Sequence, residues 1–112
     1  MSGQTMIAAP GSGHSGVLIV QSGPDSGKSF ALRDGDNLIG READCAVRLS
    51  EESVSRTHAM VRKDGDRFLV FDMGSRLGTR VDGESLPGHR ITPGETIAMG
   101  KSSITLTLPG GR

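Results

Sequence analysis

Residues 22–30 read SGPDSGKSF, and the reading of this stretch separates two fold classes. If GKS belonged to a phosphate-cradling loop, the chain would be an α/β nucleotide binder. Such a loop needs Gly, four residues and then Gly-Lys-Ser/Thr, with a helix starting under the phosphate. Here only three residues lie between Gly23 and Gly27, and Ser occupies position 22. Beyond Lys28, Phe30 and Leu32 alternate with Ser29, Ala31 and Arg33, which is a strand period rather than a helix start. Val17–Gln21 (VLIVQ) is a second β-rich run. Two such runs joined by Ser, Gly, Pro and Asp read as a β-hairpin.

The rest of the chain follows the same grammar. Short β-type runs lie at 17–21, 28–33, 37–41, 46–49, 57–63, 67–72, 79–81, 89–92, 95–99 and 102–108. Turn signals separate them: Asp34-Gly-Asp36, Asp64-Gly-Asp66, Asp82-Gly83 and Pro93-Gly94. The alternation is cleanest in 102–108, with Ile104, Leu106 and Leu108 on one face and Ser103, Thr105 and Thr107 on the other. No window holds a helical period. Many short strands with Gly-rich turns give an all-β expectation, a β-sandwich of two antiparallel sheets. Residues 1–15 lack periodicity and are expected as a flexible tail, 16–109 as the domain, and 110–112 as a C-terminal stub.

Composition narrows function. The 112 residues suit one domain, and 13 basic against 13 acidic side chains give no net charge. A nucleic-acid binder working through a broad basic face is disfavoured, and the lack of Trp and Tyr argues against a base-stacking platform. Cys45 stands alone, so no internal disulfide forms, and a small buried side chain is the ordinary role for it. No apolar run approaches a membrane span, and residues 1–16 do not read as a secretory signal. The expected location is the cytoplasm.

Chemistry-bearing residues cluster in three loops: Gly40-Arg41, Ser55-Arg56-Thr57-His58, and Asp72 through Gly83 (DMGSRLGTRVDG). Their order and spacing resemble the forkhead-associated (FHA) domain, whose pattern is Gly-Arg, Ser-x-x-His and an Asp-x-x-Ser-x-Asn-Gly-Thr-x-Val-Asn-Gly-like stretch. The resemblance runs from Val17 to Leu108. It implies about eleven strands and loops that bind phosphothreonine peptides, without catalysis, cofactor or metal. The implied partner is a phosphothreonine-containing protein or peptide, such as a Ser/Thr kinase or its substrate, met by a monomer.

Physical chemistry supports the same residues. A phosphomonoester presents nearly two charges and three acceptor oxygens. Arg41 offers a permanently charged fork able to bond two of them, and Ser55 a hydroxyl donor. Gly40 allows a close main-chain approach or a positive φ. The resemblance further implies phosphopeptide contacts for Arg56, Arg76, Leu77 and Gly78, and loop support from Gly40, His58 and Thr79. A Ser55–His58 nucleophilic pair is rejected, because no acid stands out to orient the imidazole. His14 and His89 show no metal-ligand spacing and are expected to be exposed.

One departure stands out. Leu77 replaces the family's Asn, whose amide would bond the peptide backbone. That loss is expected to cost about 1–3 kcal/mol, or roughly one to two decades of affinity. It also keeps open a second reading, a phospho-independent interaction scaffold with the same fold. Arg76 adds charge beside the site, and Asp82 in place of Asn keeps a good tight turn. Thr5 gives one regulatory expectation: once phosphorylated, the tail would occupy the chain's own site as a tethered ligand. Gln4-Thr5-Met6, however, does not match the Thr-rich stretch of members regulated in that way.

Overall fold

Among the described residues eleven strands follow one another: β1 (Val17–Ser22), β2 (Ser29–Ala31), β3 (Gly35–Gly40), β4 (Val47–Arg48), β5 (Ala59–Asp64), β6 (Arg67–Asp72), β7 (Arg80–Val81), β8 (Glu84–Ser85), β9 (Gly88–Ile91), β10 (Thr96–Met99) and β11 (Ser102–Thr107). The computed structural model describes residues 16–85 and 88–108. The expected tail at 1–15 with Thr5 and His14, position 109 and the stub at 110–112 lie outside the described residues.

The strands form two sheets, ordered β2-β1-β11-β10-β7-β8 and β4-β3-β5-β6-β9. The expected β-sandwich is therefore present. One pairing departs from a purely antiparallel design: β4 runs parallel to β3 through Ile39↔Val47 and Gly40↔Arg48. The cause is local, since the chain leaves β3 at Gly40, turns through 41–46 and returns beside the same strand in the same direction. β8, too short to show a period, pairs back on β7.

SGPDSGKSF forms the turn of the β1–β2 hairpin, with Leu18 opposite Phe30. Val20 and Lys28 close it through a 2.9 Å N–H···O bond, and Gly27 N–H returns to the Val20 carbonyl at 2.9 Å. Lys28 donates to Asp25 at 3.1 Å. Asp25 is 2% exposed and also accepts the Ser50 N–H at 2.8 Å and the Ser50 hydroxyl at 3.0 Å. The loop that looked like a phosphate cradle is thus a strap between the two sheets.

The core lies between the sheets and is built from alternate residues. On β11, Ile104 and Leu106 are buried while Thr105 and Thr107 are only partly covered, and Leu108 packs against the edge of the core. On β1, Leu18 and Val20 point inward to meet them, Leu18 directly opposite Leu106. Phe68, Val70, Ile39 and Val61 complete the facing layer. Cys45 is buried as expected, and burial, with Asp44 beside it, pushes its thiol pKa up. Among the described residues no helix is long and apolar enough to cross a membrane.

Leu106→Ala should lower unfolding free energy by about 2–5 kcal/mol, the range for emptying a fully buried Leu site. Thr105→Ala, one residue away, loses only a hydroxyl pair with Thr96 and should cost under about 1.5 kcal/mol. Urea titration of the two variants compares the faces of β11.

Candidate functional site

β3 ends on Gly40, and the main chain beyond it runs against the segment that precedes β5. Arg41 N–H reaches the Ser55 carbonyl at 3.2 Å, Glu42 N–H the Arg56 carbonyl at 3.1 Å, and His58 N–H the Ile39 carbonyl at 2.8 Å. This approach explains Gly40. A Cβ there would collide with the Arg56 carbonyl oxygen, while the residue's φ is not among the positive ones. Of the two reasons that favour glycine at such a place, the close approach applies.

Ser55 is the node of the site. Its N–H donates to His58 Nδ1 at 2.9 Å, its carbonyl holds Arg41, and its Oγ accepts the Arg76 N–H at 3.1 Å. With the oxygen accepting from within the protein, the hydroxyl hydrogen is left to donate outward. Arg41 is held in a similar way. Its Nε donates to the Val54 carbonyl at 2.6 Å, and the Arg48 Nε donates to the Arg41 carbonyl at 3.1 Å. The two terminal nitrogens of the Arg41 fork have no partner among the described residues.

His58 is fully buried. Because Nδ1 accepts the Ser55 N–H, the ring proton resides on Nε2, which donates to the Gly78 carbonyl at 2.8 Å. One imidazole therefore ties the β4–β5 loop to the β6–β7 loop. This geometry leaves no ring nitrogen for a nucleophilic partnership with the Ser55 hydroxyl.

Asp72 organises the β6–β7 loop. Its carboxylate accepts the N–H groups of Gly74 and Ser75 at 3.0 Å, the Ser75 hydroxyl at 2.5 Å and the buried Thr79 hydroxyl at 2.7 Å. The Ser75 Oγ in turn accepts the Gly78 N–H at 2.8 Å. Gly78 sits at φ 86°, where a side chain is strained. Burial works against ionisation of Asp72, but the hydroxyl and backbone donors outweigh it and hold the pKa below the usual carboxylate value of 3.8. Asp72 and Ser75 were not singled out from sequence, although the Asp-x-x-Ser spacing is what a side-chain-capped turn requires.

Arg41, Ser55, Arg56 and Arg76 line one open depression of about 270 Å³, together with Glu52, Ser53 and Val54. Four of the six expected ligand-contacting residues are thereby brought together. Arg56 is 78% exposed and lies 3.8 Å from Glu42. Leu77 lines a neighbouring depression instead, with Ser53, Arg80, Gly100 and Lys101, and is 53% exposed. Gly78 lines neither, since both its backbone groups are spent on Ser75 and His58. His89, expected to be exposed, is half-buried 3.9 Å from Glu95, away from these loops. Among the described residues no cluster of metal-ligating side chains occurs.

A family model described as the FHA domain matches residues 37–100. The chain is 37% identical over 87 residues to an oxoglutarate dehydrogenase inhibitor of Corynebacterium jeikeium, covering 78% of this chain but only 60% of that protein. A solved chain from a structural and functional study of phosphothreonine-dependent FHA-domain interactions superposes with a TM-score of 0.78 at 34% identity, covering 83% of this chain and 95% of that one. The FHA domain of FhaA, solved in complex with the intracellular domain of Rv3910, gives a TM-score of 0.77 at 35% identity, covering 82% of this chain and 99% of that one.

Asp72→Asn should destabilise the protein by about 1–3 kcal/mol near neutral pH, because hydrogen bonds to an ionised acceptor are lost. A carboxyl whose folded pKa lies below its unfolded value stabilises fully above 3.8, and that contribution fades as pH falls through the folded pKa. The gap between wild type and Asp72→Asn should therefore close on acidification. Urea midpoints at about pH 7 and about pH 3 measure it.

Proposed function

The chain belongs to the FHA domain family, and on that premise we propose that it is a non-catalytic module that docks phosphothreonine peptides in Ser/Thr-kinase signalling. One observation carries the proposal: the unpartnered ends of Arg41 and the free O–H of Ser55 face a single hollow that Arg56 and Arg76 also line. A doubly charged phosphate with three acceptor oxygens matches that donor set, with two oxygens for the Arg41 fork and a third for Ser55. The phosphothreonine-dependent interactions studied in the similar solved chain point to the same ligand class.

The partner in this reading is a phosphothreonine-bearing protein, a kinase or its substrate, engaged by a monomer in the cytoplasm. His58 and Thr79 support the loops, and Gly78 acts with them through its backbone. No catalytic step is assigned, because the imidazole that would serve as base is locked into bracing.

The exposed Leu77 favours a second reading, phospho-independent scaffolding. An apolar side chain stands where the family has an amide that bonds the peptide backbone, so the ligand loses a directional clamp. Lys101 and Arg80 beside it keep the surface cationic but supply charge rather than a paired donor and acceptor.

Titration calorimetry separates the two. Phosphothreonine peptides should bind, unphosphorylated versions should not, and Arg41→Ala should abolish the heat. Ser55→Ala should weaken binding about tenfold, the loss of one charge-assisted bond. Leu77→Asn should tighten phosphopeptide binding by about one to two decades. Equal binding of the unphosphorylated peptide, unaffected by Arg41→Ala, would establish the scaffold instead.

A further inference from the structure

The hollow lined by Arg41, Arg56 and Arg76 is not purely cationic, because Glu52 forms part of its wall. An exposed glutamate is ordinarily just a solvated side chain. Three features set this one apart. It is the second residue of a turn closed by Val54 N–H on the Glu51 carbonyl at 3.0 Å, and the Val54 carbonyl of that turn grips Arg41. The turn is pinned from beneath by the buried Glu51 carboxylate, which accepts the N–H groups of Ser53 at 2.9 Å and Lys101 at 2.8 Å as well as the Ser53 hydroxyl. Among the described residues Glu52 forms no ion pair with any of the three arginines, whereas Glu42 lies beside Arg56.

Glu52 thus presents an exposed, unpaired carboxylate from a firmly held backbone at the rim of an anion site. A phosphate entering this hollow is repelled by it, and a neutral ligand leaves that repulsion standing. A ligand that brings a cation next to its phosphate removes the repulsion and gains an ion pair. We infer that Glu52 is a specificity-determining residue, selecting phosphothreonine peptides with Lys or Arg within one or two positions of the phosphothreonine. The inference rests on the phosphothreonine reading above. It adds a charge pattern to it: phosphate onto Arg41 and Ser55, neighbouring cation onto Glu52.

The test uses fluorescence anisotropy at low salt and three phosphothreonine peptides that differ only beside the phosphothreonine, in carrying Lys, Ala or Glu. Wild type should rank them Lys, Ala, Glu, with steps of about twofold to fivefold, as an exposed ion pair allows. Glu52→Gln should collapse the Lys-to-Ala ratio to about one, and Glu52→Lys should reverse the order. Raising salt should shrink the wild-type ratio, since exposed charges are screened. A Lys-to-Ala ratio unchanged by Glu52→Gln would overturn the inference. So would a uniform gain for all three peptides, which would mean that Glu52 merely repels phosphate. The Ala peptide reports separately on the underlying reading: if its binding does not depend on phosphate and on Arg41, both proposals fall.

Discussion

The site depends on one buried imidazole. His58 spans two loops from sheet positions far apart in sequence, accepting from Ser55 and donating to Gly78. Fully enclosed, it has both ring nitrogens satisfied, which is the condition under which a buried polar side chain stabilises rather than weakens. This tie reinforces the direct bond between the two loops, in which the Arg76 N–H donates to the Ser55 Oγ and leaves the hydroxyl hydrogen to point outward.

Around this tie the protein settles its own hydrogen bonds before any ligand arrives. Ser55 uses its N–H, carbonyl and hydroxyl oxygen internally, and Arg41 uses its N–H, carbonyl and Nε. What remains outward is a small set of charge-bearing donors. Binding to such a surface requires little reordering, so interaction energy is not consumed in fixing loops. Charge is also distributed unevenly despite a net of zero. Arg41, Arg56, Arg76, Arg80 and Lys101 gather at one end, four on loops and Arg80 at the start of β7. Asp34, Asp36, Asp64 and Asp66 sit at the β2–β3 and β5–β6 turns, at the far ends of β3 and β5, where Lys63 and Arg62 pair with Asp34 and Asp36. A balanced composition disfavours a broad basic face, and it leaves room for a local anion site.

Much of this was legible from sequence because it has a period or a motif. The alternation of Ile104 and Leu106 with Thr105 and Thr107 is a burial pattern, and it appears as one. The failed spacing around Lys28 pointed to a hairpin, although nothing in it announced that Asp25 would cross to Ser50 and strap the sheets together. Contacts of that kind depend on which loops meet, and a linear pattern does not carry that information. The same holds for the parallel β3–β4 pair, for Asp72 as a hub, and for the reason behind Gly40. That glycine is required by a carbonyl sixteen positions downstream, not by its own turn.

The separation between scaffold and rim also explains why recognition is harder to read than fold. Ser55, His58 and Asp72 make several internal bonds each, and the buried Thr79 hydroxyl donates to Asp72, so changing any of them disturbs the loops themselves. Leu77, Arg80, Lys101 and Glu52 line the same end of the sandwich, with no side-chain hydrogen bond or ion pair among the described residues to constrain them. Their identities are free to change without disturbing the fold. A difference in affinity between two ligands arises where contacts differ while the phosphate clamp stays the same. On the proposed reading that place is the rim: an apolar residue and two cations on one side of Ser53, a carboxylate on the other. On that reading, what is anchored most firmly sets the class of ligand, and what is anchored least sets the choice within it.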